Sequence, residues 1–298
     1  MEQNKKHEHA TLPGSKGRAF SLGIIVNSAY TVLELLFGFM IGSMSLVADA
    51  VHNLSDVLSL AVAWIAEKLT HRHPTTMRTY GMKGGSILAA LINAMLLLVA
   101  MGAIIVEAIG RLAHPEPVQA GLVMAVAGIG ILINGGTALL FMSGRHGDLN
   151  VRGAFLHMAA DAGVSLGVVL AGLLMQFTGW TWLDPVMSLV VAFVVLWATW
   201  GLLRDAVNMA LAAVPRSLDP AQVAEVIRDY PTVRSYHDLH IWSISTTDVA
   251  LTVHLERTTR EGNDAFLDGL TEALRQTCAI DHVTIQIECG NFSTDNQY

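Results

Sequence analysis

The chain has 298 residues, of which 52% are hydrophobic and only 14% charged, with a formal net charge of −7 and a mean hydropathy of +0.47. Soluble chains carry about a quarter charged residues, so this composition argues against a wholly soluble enzyme. The acidic balance, with no basic patch, argues against a nucleic-acid partner.

The shortage of charge is uneven. Residues 20–213 hold long apolar runs, whereas 214–298 carry Asp, Glu, Arg and Thr at ordinary frequency. This pattern predicts a membrane domain followed by one small soluble domain. The polar N-terminal tail, 1–17, leads into an apolar run with no small-residue cleavage site, which reads as an uncleaved first helix. A bilayer core needs about 20 apolar residues per helix, and six segments qualify, at 19–41, 45–67, 84–111, 118–142, 152–177 and 186–212. Short Gly, Ser, Pro and His-containing connections separate them. Asp184-Pro185 suits a helix N-cap followed by a first-turn proline.

Lys5, Lys6, Lys16, Arg18, Lys68, Arg72, Arg78, Lys83, Arg145, Arg152 and Arg204 all fall on one side of the predicted helices, and only Arg111 lies near a loop on the other. By the positive-inside rule both termini are cytoplasmic. Trp180 and Trp182 then form an aromatic anchor at the outer interface.

The C-terminal part reads as α-β-β-α-β. An amphipathic helix covers Asp219 to Arg228, strands follow at Val233 to Ser245 and Val249 to Leu255, and a second helix runs from Asp264 to Gln276. A last strand, Val283 to Glu288, alternates Val283, Ile285 and Ile287 with period two. Such a unit builds a two-layer α+β domain. Cys278 and Cys289 form no C-x-x-C motif and no disulfide framework.

The chemistry concentrates in one repeated pattern. His52-Asn53-Leu54-Ser55-Asp56 and His157-Met158-Ala159-Ala160-Asp161 are both His-x-x-x-Asp, each within a predicted span. Four residues make about one helical turn, so each His and its Asp share a helix face. Ionisable groups persist in a bilayer mainly where they face a cavity, a partner or an ion. Simple His–Asp hydrogen bonding between helices would leave two carboxylates buried with no cation to balance them. Two imidazoles and two carboxylates instead suit a divalent metal, zinc first, with protons competing for the same lone pairs.

Other intramembrane polar residues have two readings each. Asp49 is either a partner behind the ligands that fixes the imidazole tautomer or a cap-like hydrogen bonder near the helix start. Glu34 and Glu107 are either structurally paired or near an ion path. Asn27, Asn93 and Asn134 read as interhelical hydrogen bonders, and Ala89-Ala90 with Gly128-Ile129-Gly130 as close helix packing.

Over residues 18 to 290 the chain resembles the cation diffusion facilitators, proton-coupled exporters of zinc and related divalent ions. The strings that carry the resemblance are Ser45-Leu46-Val47-Ala48-Asp49-Ala50-Val51-His52-Asn53-Leu54-Ser55-Asp56, Asn150-Val151-Arg152-Gly153-Ala154-Phe155-Leu156-His157-Met158-Ala159-Ala160-Asp161 and His237-Asp238-Leu239-His240-Ile241-Trp242. The resemblance implies that His52, Asp56, His157 and Asp161 form the transport site. It also implies a homodimer with a cytoplasmic metallochaperone-like, ferredoxin-like domain. Members with His at the first position resemble zinc transporters, which favours zinc over cadmium. His237, His254 and Glu288 match positions that bind cytoplasmic metal in relatives; polar surface or a dimer interface is the alternative reading for them. Cys289, on the opposite strand face from Glu288, is left out of the set, and His240 is expected to pack beside Trp242.

Two departures stand out. Where the family often carries Arg and Glu after Tyr-Gly, this chain has Tyr80-Gly81-Met82-Lys83-Gly84-Gly85-Ser86, so an ion pair made there in relatives is expected to be missing. No His-rich metal-gathering loop is present. His71 and His73 read as a solvated loop, His146 stands alone in its loop, and His7 and His9 read as a solvated tail.

The expected architecture is therefore a polytopic α-helical membrane protein with six transmembrane helices over 18–212. A cytoplasmic α+β domain follows over 213–290, with a short tail at 291–298. The expected role is export of Zn²⁺ in exchange for protons across a bacterial inner membrane. Export of cobalt, cadmium, iron or nickel by the same site is the alternative, with a membrane-embedded metalloenzyme or a metal sensor behind it.

Overall fold

The computed structural model describes residues 14–70, 74–142, 149–259 and 261–288. His7, His9, His71, His73, His146, Cys289 and the tail at 291–298 lie outside the described residues. Six long helices come first: α1 (Gly14–Ile41), α2 (Met44–Thr70), α3 (Gly85–Ala113), α4 (Ala120–Met142), α5 (Leu149–Thr178) and α6 (Leu183–Ala210). At a rise of about 1.5 Å per residue each exceeds the ~30 Å of a hydrocarbon core. Gly85–Ala113, Ala120–Leu140, Phe155–Thr178 and Leu183–Ala210 are long and apolar enough to cross a membrane, and α1 is apolar over Ile25–Ile41. The α2 helix is the one that carries Asp49, His52 and Asp56 in its first half. Large apolar side chains such as Phe39, Val99, Leu132 and Trp197 stand exposed, as a lipid-facing surface requires. The chain is an integral membrane protein.

The chain divides into two compact units, one drawn from residues 1–59 and 96–199, the other from 60–95 and 200–298. In the first, Met44, Val47 and Ala48 of α2 pack with Leu97, Met101 and Ile104 of α3 and with Val191, Ala192 and Val195 of α6. A second cluster joins Ile41 and Leu46 to Val123, Val126 and Ala127 of α4 and Val168 of α5. Small residues let these helices approach: a Cβ on Gly130 would overlap the Tyr30 hydroxyl, whereas Gly128 faces open space. Of that pair, Gly130 alone has a packing role among the described residues.

The connection from α1 to α2 is Gly42-Ser43. Gly42 adopts φ +69°, a left-handed conformation that ends α1 at no steric cost. The Arg111 guanidinium donates to the Gly42 carbonyl at 2.5 Å and pairs with Glu107 at 3.0 Å and Glu116 at 3.4 Å. Glu107 therefore takes the structural of its two readings. Asp184 corrects the sequence expectation. It stands in the first turn of α6 but caps α2 instead, accepting from Ser43 Oγ (2.6 Å), Ser45 Oγ (2.6 Å), Met44 N (2.7 Å) and Ser45 N (3.4 Å). The unsatisfied donors at the N-terminus of α2 win the carboxylate. The side-chain nitrogen and oxygen of Asn134 are both buried with no hydrogen-bond partner, so it does not bond between helices as expected.

In the second unit, α7 (Pro220–Arg228), β1 (Val233–Ser243), β2 (Val249–Arg257), α8 (Asn263–Cys278) and β3 (His282–Glu288) form the expected αββαβ arrangement. The sheet order is β1-β2-β3, with β1 antiparallel and β3 parallel to β2. Asp219 caps α7 by accepting from Ala221 N at 2.9 Å, with Pro220 at the first helical position. One face of the sheet meets both helices in a core containing Val223, Ile227, Leu251, Val253, Leu255, Leu270, Leu274 and Ile280. β1 stops at Ser243, two residues short of the predicted end, because Ile244 N turns to Asp248 O at 2.9 Å. In the stretch after Tyr80-Gly81, Lys83 pairs with Asp248 at 3.3 Å, and Ser86 Oγ accepts from Thr246 N at 3.1 Å.

Candidate metal site

The turn spacing within α2 puts His52 above Asp56, and α5 does the same for His157 and Asp161. The two helices bring the pairs face to face. His52 Nε2 lies 3.6 Å from Asp56 Oδ2 and 3.6 Å from Asp161 Oδ1, while His157 Nε2 lies 3.1 Å from Asp56 Oδ2 and 3.6 Å from Asp161 Oδ2. The two imidazole centroids are 6.0 Å apart at 78°. Tetrahedral N and O ligands at about 2.0–2.1 Å from a zinc ion stand about 3.3 Å from one another; His157 meets Asp56 at that spacing, whereas His52 reaches Asp161 through a different carboxylate oxygen from the one His157 faces. Asp56, His157 and Asp161 offer ligand atoms that all lie within 4.8 Å of each other. Asp161 Oδ2 is a buried oxygen with no hydrogen-bond partner among the described residues, and Asp56 Oδ2 is a buried oxygen that faces the two ring nitrogens, an arrangement that suits carboxylates oriented for a cation.

The site is walled on one side and open on the other. The Asp161 side chain is 4% exposed, His52 19%, Asp56 31% and His157 42%. Behind it stands a buried polar cluster. Asp49 Oδ2 accepts from Ser165 Oγ at 3.3 Å. Glu34 Oε1 accepts from the Tyr30 hydroxyl at 2.7 Å and Glu34 Oε2 from Asn53 Nδ2 at 3.2 Å. His52 Nδ1 has no hydrogen-bond partner among the described residues, so Asp49 sits behind the His–Asp cluster without gripping that nitrogen. Tyr30 and Ser165 were not singled out from sequence. Tyr30 stands four residues before Glu34, a same-face spacing that was available as a signal.

A second cluster forms on the sheet of the C-terminal domain. His237 and His254 are direct partners in the β1–β2 register, with ring centroids 5.2 Å apart. Glu288 on β3 lies 2.8 Å from His254 Nδ1 and 3.5 Å from His237 Nε2. These three ligand atoms also lie within 4.8 Å of each other, three donors of the kind that leave a fourth position open. A register shift between His237 and His240 coincides with φ +53° at Asp238. The Asp238 carboxylate takes His240 Nε2 at 2.8 Å and stands 3.6 Å from His254 Nε2. His240 pairs with Asp238 through the bulge and lines one surface pocket together with Trp242.

Comparison with known proteins agrees with both regions. Residues 21–209 match the family model described as the cation efflux transmembrane domain, and residues 215–289 match the cation efflux protein cytoplasmic domain. The chain is 36% identical over 294 residues to the zinc transporter ZitB of Escherichia coli, covering 97% of this chain and 93% of that protein. It is 34% identical over 295 residues to a cadmium, cobalt and zinc/H(+)-K(+) antiporter of Bacillus velezensis, covering 97% and 94%. The metal cation efflux system protein CzcD of Cupriavidus metallidurans is 34% identical over 289 residues, covering 97% and 90%.

Proposed function

The chain belongs to the cation efflux family, and from that premise we propose that it exports zinc from the cytoplasm in exchange for protons through His52, Asp56, His157 and Asp161. It is a secondary transporter of divalent metal cations and not an enzyme. The observation that carries the site assignment is the set of 3.1–3.6 Å spacings between two imidazole nitrogens and two carboxylates on α2 and α5.

Chemically, two carboxylates and two neutral imidazoles bind a divalent ion with no net charge left over, which a low-dielectric surrounding favours. When the ion leaves, the same lone pairs accept protons. Metal and protons therefore exclude one another, and coupling follows from the ligand set alone. Rocking of helices around the site exposes it to each side in turn. Low pH on the outer side favours release, and deprotonation inside favours reloading.

The transport domain covers 18–212 and the cytoplasmic domain 213–290. The cytoplasmic domain is the dimer-forming part of the family, so the protein works as a homodimer. His237, His254 and Glu288 bind a cytoplasmic zinc that biases the transport equilibrium through its differential affinity for the two states. Basic residues on one side of the helices support an inner-membrane protein with both termini in the cytoplasm. The name of the Bacillus relative supports a second reading, export of cadmium or cobalt by the same site.

Proteoliposomes loaded with a zinc-sensitive and a pH-sensitive dye test the proposal. Zinc flux with opposite proton movement is expected. Zinc flux without proton movement would remove the antiport mechanism, and unchanged flux in Asp161→Ala would remove the site.

A further inference from the structure

We propose that the cavity between the end of α6 and the β1–β2 turn binds the headgroup of a phospholipid that carries both a phosphate and a primary ammonium, as an ethanolamine phospholipid does. The proposal concerns the lipid around the protein and stands apart from the metal-export reading.

Depth in the membrane comes first. α6 starts at Leu183, directly after the stacked rings of Trp180 and Trp182, and such aromatic residues mark the membrane–water interface. A hydrocarbon core of about 30 Å takes about 20 residues of helix. The turn that carries Asp205 and Asn208 therefore lies past the core, in the headgroup layer. There a cavity of about 240 Å³ is lined by Asp205 and Asn208 from α6, Arg216 and Ser217 from the chain that follows it, and Thr246 and Thr247 from the β1–β2 turn. That volume suits a headgroup better than a drug-sized ligand.

The charges in the cavity are paired and open. Arg216 Nε stands 2.9 Å from Asp205 Oδ1, with the two side chains 54% and 34% exposed. This contact uses one N–H of the guanidinium and one carboxylate oxygen, which leaves the Nη end and Oδ2 to a ligand. A phosphate accepts parallel N–H bonds from such a guanidinium end, and the hydroxyls of Ser217, Thr246 and Thr247 line the same cavity. An ammonium donates to the Asp205 carboxylate. A zwitterion thus lies against the ion pair with each charge beside its opposite. A glycerol headgroup brings the phosphate without an ammonium, so Asp205 repels it, and a choline has no N–H to give the carboxylate.

The acyl chains also have a place. One turn nearer the membrane centre, on the face of Asp205, Gly201 has open space where a Cβ would stand. Beside it Leu202 is 64% exposed. No described side chain fills that strip, which is what a lipid chain running from the cavity along α6 needs. The strip ties the ligand to the bilayer rather than to a soluble phosphate.

Native mass spectrometry of the full protein in detergent, with added phosphatidylethanolamine, phosphatidylglycerol or phosphatidylcholine, tests the proposal. The native protein is expected to retain one phosphatidylethanolamine per protomer at collision energies that strip the other two lipids. Equal retention of the three would overturn it, and this comparison does not depend on how any variant folds. Arg216→Gln is expected to weaken phosphatidylethanolamine binding at least about tenfold, the loss of one charge-assisted hydrogen bond. Asp205→Asn is expected to erase the preference, so that phosphatidylethanolamine and phosphatidylglycerol are retained alike. Native binding in R216Q, or an unchanged preference in D205N, would overturn the proposal. Soluble phosphoethanolamine and inorganic phosphate are expected to leave the lipid in place; displacement by either would make this a soluble-phosphate site and overturn the lipid assignment. Lipid retention is read without zinc flux, so failure of the zinc–proton exchange reading leaves this result standing.

Discussion

Asp184 Oδ1 accepts the hydroxyl proton of Ser43 at 2.6 Å, across 141 residues of sequence. Together with the bonds from Met44 and Ser45, this makes a side chain of α6 the N-terminal cap of α2. Asp184→Ala leaves those buried donors without an acceptor, at about 1–3 kcal/mol for each that finds no water. We expect a loss of about 2–4 kcal/mol in unfolding free energy for D184A. D184N, which keeps one acceptor oxygen, is expected to lose less. Denaturant unfolding in detergent micelles reads the order. Equal losses in the two variants would mean that charge, not acceptor count, holds the helix.

Replacing a ligand should affect metal binding according to how enclosed it is. Asp161, at 4% exposure, has no water to replace it, whereas His157 at 42% does. Asp161→Ala is expected to weaken zinc binding at least about 100-fold, the upper end of the cost seen for partners behind ligands. His157→Ala is expected to lose less, because a solvent molecule can take the open corner. Calorimetric zinc titration of each variant decides the order. A reversed order would place the entrance at Asp161.

The His-x-x-x-Asp pairs could be seen in sequence because one helical turn is a local relation and ionisable groups are rare in spans. Tyr30 and Glu34 share one turn of α1, but Asp49 and Ser165 belong to α2 and α5, so the meeting of those last two is a tertiary fact that no single-helix spacing contains. Asp184 departs from its local signal for a related reason. The Asp-Pro signal correctly marks where α6 begins, but it does not say which helix end takes the carboxylate. Lys83 shows the reverse case. Its stretch lacks the Arg and Glu expected from the resemblance, yet Asp248, 165 positions later in the chain, supplies an ion-pair partner. The period-two strand Val283, Ile285, Ile287 was readable because it is local, and the structure reproduces it.

The cytoplasmic cluster predicts a second class of metal binding separate from transport. Removing His254 takes away the nitrogen that stands 2.8 Å from Glu288 and leaves that carboxylate facing His237 alone. His254→Ala is expected to abolish one zinc equivalent per protomer while the transport-site equivalent persists. Zinc flux is expected to fall and not vanish, since the ligands on α2 and α5 are intact. A native zinc count in H254A, measured by elemental analysis after dialysis, would overturn this assignment. Complete loss of flux would mean that the cytoplasmic ion is required rather than modulatory.

Cys278 offers a probe of the small domain's core. It is 9% exposed and packs in the cluster with Leu274 and Ile280, and burial pushes its thiol above the ordinary range for cysteine. The folded domain thus favours the neutral thiol more than the unfolded chain does. The stabilisation this contributes is fully present below the unfolded value of about 8.5 and is lost as pH rises through the higher folded value. The same shift lowers the thiolate fraction near pH 8, and the thiolate is the nucleophile. In a Cys289→Ser background, iodoacetamide is expected to label Cys278 far more slowly in the folded protein than in denaturant, with the folded rate still rising at pH values where the denatured rate has levelled off. Because alkylation of a buried thiol needs local opening, the ratio of the two rates reports the stability of the α8 core. Labelling at the unfolded rate would mean that α8 opens freely, and that the cytoplasmic domain has no independent core with which to hold its metal ligands in register.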